Sequence, residues 1–238
     1  PAVLRAVGLT ATAATRVLAE LVDAGLLVAP TESAPPRAIR LPVPDLARRA
    51  GTEPSLTDVV AARRSIREHD DAVPIDRAAL GEFLYRVQRA WDVREPGGPE
   101  PEVYPLVTRC AGVDPGLYRY DSIGHELVPL AAPGPLADRL LDSARDAASM
   151  VGRPQVLLVC TARVSRRMRQ DGGPALAAAR RDAGVLTELM YLVATAMGLA
   201  PCAVGPADPT AFAELSGTDP LPEPGTARFL LGSRRPPA

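Results

Sequence analysis

Apolar residues recur at helical spacing along most of this chain, interrupted by short apolar runs that suit strands. In the first segment Val17, Leu18, Leu21 and Val22 share one stripe, Gly25 ends it, and GLLV reads as a strand. A helix followed by such a strand is how a winged-helix module ends, so residues 1–29 are read as a winged-helix-like segment, opening in helical character as a trimmed piece would. DNA reading needs basic and amide side chains on the preceding helix, and only Arg5 and Arg16 are available, which favours a structural or peptide-docking role. Residues 30–54 carry six prolines and read as an extended linker, because proline fits neither a helix interior nor a central strand.

The main domain is expected over 55–238. SLTD forms a capping box (Ser55, Asp58) in front of a helix running into AARRS. Behind Asp76 as N-cap, Leu80, Phe83, Leu84, Val87 and Trp91 give a second helix one buried face. Strands are expected at Glu102 to Cys110, Gly116 to Tyr120 and Gln155 to Ala162, with a helix near Leu136 to Met150 before the last of these. From about Ala178 to Ala196 runs a helix apolar on nearly every side, with Glu188 the only charge between Asp182 and Asp208, as expected of a core or subunit interface. PCAVG and RFLLG supply closing strands. Irregular alternation of strands and helices, with hairpin-like and crossover stretches both present, indicates an α+β fold.

Composition narrows the function classes. A formal net charge of -1 gives no long-range pull on nucleic acid, and no apolar run is long enough to span a bilayer, so the protein reads as cytoplasmic, with neither nucleic acid nor membrane as partner. All 27 basic residues are arginine, which excludes a Schiff-base lysine and a P-loop lysine. Cys110, Cys160 and Cys202 lie far apart among apolar neighbours and read as buried thiols; no metal-ligand spacing occurs. His125 lies in the turn from Asp121 to Leu127 and reads as a surface turn residue.

Two arginine clusters remain. RRSIR (Arg63, Arg64, Ser65, Ile66, Arg67) sets guanidinium forks and a hydroxyl at a helix end, a grouping that suits phosphate oxygens, and the C-terminal LLGSR adds Ser233 and Arg234 beside a glycine. Between them GLAPCAVG (198–205) and EPGGPEPEVY (95–104) offer glycine beside small residues, where a flat ring can lie against backbone amides.

Taken in order, AARRSIREH, IDRAALGEFLYRVQRAW, VYPLVTRCAGVDPGLYRYD, DAGVLTELMYLVATAMGLAPCAVG, ELSGTDPL and RFLLGSR resemble the SagB-type azoline dehydrogenase branch of the nitroreductase superfamily over roughly residues 37–235. The resemblance implies a nitroreductase-like antiparallel or mixed sheet flanked by helices, and an FMN-dependent homodimer. Its members oxidise thiazolines or oxazolines in a modified precursor peptide, working beside a cyclodehydratase. Carried over by position, Arg63, Arg64, Ser65 and Arg67 would hold the phosphate and ribityl chain with Ser233 and Arg234, while Gly98, Ala203, Val204 and Gly205 would line the ring. Two departures stand out. PGGPEPE replaces the family's Pro-Ser-Gly-Gly-Ala, and Arg169 and Gln170 stand where active members have a Lys-Tyr pair. Neither arginine nor glutamine exchanges a proton near neutral pH, so a second expectation is a catalytically decayed scaffold that binds peptide or partner enzymes.

Overall fold

The computed structural model describes residues 37–94, 101–161, 174–205, 209–218 and 225–235. The winged-helix-like segment, Gly98, Arg169 and Gln170 lie outside the described residues.

Seven strands form one sheet: β1 (Ile39–Arg40), β2 (Glu102–Val107), β3 (Gly116–Asp121), β4 (Glu126–Ala131), β5 (Val156–Thr161), β6 (Leu199–Val204) and β7 (Gly225–Ser233), in the order β1-β4-β3-β2-β5-β7-β6. Every pairing is antiparallel. The described helices are α1 (Leu46–Arg49), α2 (Leu56–Ala62), α3 (Arg77–Arg94), α4 (Pro135–Ala148), α5 (Pro174–Ala196) and α6 (Pro209–Ser216).

Helices cover both faces of the sheet, and β5 shows why its sequence is apolar without alternation. Val156, Leu158 and Cys160 point into the core shared with α3 and α5, while Leu157 and Val159 point into the core shared with α4 and α6. A strand buried on both faces has no polar side to present. Leu80, Phe83, Leu84, Val87 and Trp91 of α3 are all buried in the first core, as their spacing predicts. The caps are also where expected: Asp76 accepts the Ala79 N–H at 2.7 Å, and Ser55 accepts the Asp58 N–H at 3.2 Å.

The sheet departs from expectation at one edge. Residues 37–54 are packed, not extended linker: Ile39 pairs with Leu127 of β4, Leu41 is buried, and its Cβ stands 3.1 Å from where a Cβ on Gly81 would be. Ion pairs fasten the rest, with Arg49 3.0 Å from Glu82 and Arg86 gripping Glu53 through two bonds of 3.0 and 2.7 Å. His125 is part of this fastening. It sits at a turn with φ 48° but is buried, not on the surface. Its Nε2 donates to the Pro42 carbonyl at 3.1 Å, which leaves Nδ1 to accept from the Tyr120 hydroxyl at 2.9 Å.

Helix α5 lends one side to the core as expected: Leu186, Met190 and Ala194 are buried there, Met190 at 1% exposed, whereas Val193 and Met197 are only partly covered. Glu188 faces outward with its side chain 57% exposed. No described helix is long and apolar enough to cross a membrane.

Cys110, Cys160 and Cys202 are free and buried. Burial pushes the Cys160 thiol up to about 12, and burial with Asp76 nearby pushes Cys110 up to about 12. Thiolate is the reactive form, so a disulfide-based thiol titrant is expected to leave all three cysteines unmodified in native protein and to modify all three in denaturant. Rapid native reaction at any of them would contradict this.

Candidate functional site

Helix α2 ends at Ala62, and the chain that follows runs extended along the outer side of β6 and the end of β7. The Ile66 N–H donates to the Pro201 carbonyl at 2.7 Å, and the Asp70 N–H donates to the Ser233 carbonyl at 3.1 Å. Proline suits position 201 because a strand residue's N–H and C=O point the same way. Here the carbonyl points away from the β7 ladder, so the missing N–H is not a ladder bond. RRSIR thus meets β6, and Asp70 just after it meets the C-terminal strand 163 positions away, as the Ser233 Oγ bond to the Asp70 carbonyl at 3.0 Å also records.

Within this meeting the carried-over residues form two groups. The first gathers at Tyr191, a buried residue of α5 packed edge-on against Phe229 with ring centroids 5.1 Å apart. Its hydroxyl lies 2.7 Å from Ser65 Oγ and accepts the Ala203 N–H at 2.8 Å. The Arg63 guanidinium lies 5.1 Å from the ring centroid, with its Nε 4.0 Å from Glu188. Val204 and Gly205 continue from Ala203, and the Gly205 carbonyl accepts from Arg228 Nε at 2.7 Å. Arg228 is itself buried and donates to Ser143 Oγ at 3.1 Å; burial lowers its pKa.

The second group gathers at Gln155. Its Oε1 accepts the Ile75 and Ser233 N–H groups at 2.9 and 3.0 Å, and its Nε2 donates to the Asp70 carbonyl at 2.9 Å and to Ser233 Oγ at 3.0 Å. The Ser233 side chain is therefore engaged inside the protein. The Gln155 N–H donates to His69 Nδ1 at 3.1 Å, which fixes the neutral Nε2–H tautomer on a ring pressed against Gly232. The two groups therefore sit at successive points along the 63–70 segment, one at Ser65 and the other at His69 and Asp70.

Arg67 belongs to neither group, because its Nε donates to the Ala148 carbonyl at 2.7 Å, at the end of α4. Arg64 and Arg234 are exposed, and Arg235 stands 3.7 Å from Glu68. Among the described residues Arg64, Arg67 and Arg234 have no carboxylate partner. Sequence patterns did not point to Gln155 or to Tyr191 as an organiser of this site, since each acts through partners distant in the chain. No group of three described histidine, cysteine or acidic residues has metal-binding geometry.

This arrangement of strands and helices also occurs in solved structures. A provisional nitroreductase from Ralstonia eutropha superposes with a TM-score of 0.63 at 23% identity, over 90% of this chain and 97% of the other. The chain has the nitroreductase fold. A chain of the Escherichia coli microcin synthetase McbBCD complex, solved with truncated pro-MccB17 bound, superposes with a TM-score of 0.60 at 14% identity, over 92% of this chain and 82% of that one. In sequence, a provisional nitroreductase of Methanocaldococcus jannaschii is 26% identical over 160 residues, 64% of this chain and 79% of the relative. No family model matches the chain. On this nitroreductase fold the meeting of the 63–70 segment with β6 and the end of β7 is the candidate site.

Proposed function

We propose that the protein is a nitroreductase-superfamily oxidoreductase that binds FMN and oxidises azolines in a modified precursor peptide, as a homodimer working with a cyclodehydratase. The observation that carries the flavin reading is the donor set along the extended segment. Arg63, Arg64 and Ser65, with Arg67 through the guanidinium nitrogens not used on Ala148 and Arg234 just past the end of β7, would supply planar cationic forks and a hydroxyl, without described carboxylates at Arg64, Arg67 and Arg234 to neutralise them. Such a set fits a phosphate with a polyol chain attached. Ala203, Val204 and Gly205 would lie along the ring, with Gly98 completing its surroundings. Ser233, bonded to Gln155 and Asp70, would hold the end of β7 from which Arg234 follows.

FMN supplies the hydride acceptor when bound, and the chain's own work is to bind, orient and exclude water. Support for the peptide substrate and the cyclodehydratase comes from the order of sequence motifs and from the likeness to a chain of the peptide-bound McbBCD complex. For the homodimer, the partly covered Val193 and Met197 of α5 are the candidates for contact. A second reading, a scaffold that keeps the fold without turnover, is favoured by one observation. Arg169 and Gln170 offer no proton acceptor where active relatives of the SagB type have Lys and Tyr.

Flavin absorbance of the purified protein, followed by FMN titration and an azoline-peptide assay, separates these readings. Flavin binding with azole formation is expected of the enzyme, flavin binding alone of a decayed one, and neither of a scaffold. Replacing Arg63 by Ala should weaken FMN binding by about 1.5 to 3 kcal/mol, the scale of a charge-assisted hydrogen bond. An unchanged dissociation constant would remove Arg63 from the site.

A further inference from the structure

The geometry points to Tyr191 as a positioning residue that turns the Ser65 hydroxyl proton outward, so that Ser65 meets a ligand as a hydrogen-bond donor. The inference rests on the reading of the 63–70 segment and β6 as a flavin site. An amide N–H can only donate, so the Ala203 bond at 2.8 Å makes the Tyr191 oxygen an acceptor. The single Tyr191 proton then needs its own acceptor. Tyr191 is buried, so leaving that proton unpaired is costly, and Ser65 Oγ stands 2.7 Å away. The distance allows either oxygen to donate, but donation from Ser65 would leave the buried Tyr191 proton without an acceptor, whereas donation from Tyr191 leaves only the Ser65 proton, on the half-exposed side.

The chemistry of the two groups favours that direction as well, because a phenol is a stronger donor than an alkyl hydroxyl. Ser65 then accepts from Tyr191 and has its own proton left over on the half-exposed side of the segment. A chain of donors runs from the Ala203 N–H through Tyr191 to Ser65 and outward. Flanked by Arg63 and Arg64, that proton selects acceptor oxygens, as on a phosphate, a polyol or a ring carbonyl, and disfavours a ligand donor at the same place. Tyr191 thereby links the phosphate-type arm to β6 without touching the ligand itself.

A double-mutant cycle of Ser65→Ala and Tyr191→Phe tests this, read as FMN dissociation constant by flavin fluorescence and as melting temperature of the flavin-free protein. Tyr191→Phe retains the ring against Phe229, so a folded variant is expected. Each single change should weaken FMN binding about tenfold, the effect of one ordinary hydrogen bond, and the double change should weaken it about tenfold in total rather than a hundredfold. Effects that multiply to about a hundredfold would show that Ser65 does not act through Tyr191, and would overturn the inference. In flavin-free protein Ser65→Ala should lower the melting temperature more when Tyr191 is present than after Tyr191→Phe, and exchange of the Ala203 amide should quicken in Tyr191→Phe. If the wild-type protein binds no FMN, the functional reading fails, and the melting cycle with Ala203 exchange alone decides the relay. Equal melting losses in both backgrounds, or unchanged Ala203 exchange, would refute it.

Discussion

Between pH 6.5 and about pH 4 the protein is expected to lose about 3 kcal/mol of stability through His69 alone. His69 is 5% exposed, and burial is the main cause that lowers its pKa to about 4. The Asp71 carboxylate and the Ala200 backbone pull the other way without outweighing burial, and Nε2 makes no well-formed hydrogen bond. Nδ1 is committed as an acceptor to the Gln155 N–H, a bond that protonation would destroy. In the unfolded chain the imidazole binds a proton as pH falls through 6.5, while the folded protein refuses it until about pH 4. Stability from the neutral ring is therefore complete above pH 6.5 and is lost as the medium becomes acid. Melting curves of the wild type and His69→Gln across this window isolate the contribution, since every other titrating group is common to both. The wild type should lose roughly 6 to 12 °C more than the variant on acidification, for a domain of this size. Parallel profiles would show that His69 is not the acid-sensitive group.

Much of the fold could be read from local pattern, and the exceptions share one cause. The α3 stripe, its Asp76 cap, the Ser55 cap of α2 and the uniformly apolar β5 each follow from neighbours within a few positions. Strand β4 was hidden because Pro129 interrupts it and its burial does not alternate cleanly. The packing of residues 37–54 was hidden because it depends on distant partners: His125 lies 83 positions from Pro42. The turn at His125 is legible in its neighbours but its burial is not, since nothing near it in sequence announces the β1 segment that covers it.

The candidate site divides in the same way. Arginine-rich composition at 63–67 and the glycine-bearing strand at 198–205 are visible locally, and the order of motifs joins them. The groups that hold those segments in place are not visible. Ser65 is 126 positions from Tyr191, and Gln155 reaches residues 80 or so positions away on either side. A lone tyrosine on an apolar helix and a lone glutamine before an apolar strand have no pattern until the fold brings their partners to them.

Gly232 should tolerate no side chain, and Gly232→Ala is expected to destabilise the protein by about 3 kcal/mol. A Cβ at this position would stand 2.4 Å from His69 Nδ1, 2.5 Å from Cγ and 2.7 Å from Cε1, closer than real Cβ atoms approach any heavy atom. Neither side can yield cheaply. β7 is paired on both flanks, with Gly232 opposite Ala200 of β6 and Leu231 opposite Val156 of β5. The ring is buried and tied to the Gln155 N–H. Removing the ring should relieve the clash. His69→Ala alone leaves a cavity, but Gly232→Ala in that background should cost about 2 kcal/mol less than in the wild type, the coupling expected of residues in direct contact. Additive losses in denaturant melts would mean that the two do not meet. The same pair bears on the site, because displacing His69 pulls on Asp70 and so on its bonds to Ser233, one residue before Arg234. On the proposed flavin reading, Gly232→Ala should therefore lose FMN affinity as well as stability, and the His69→Ala combination should recover stability more fully than affinity, since it restores space without restoring the Gln155–His69 tether. Equal recovery of both would show that His69 fills space and does not fix the segment carrying the arginines.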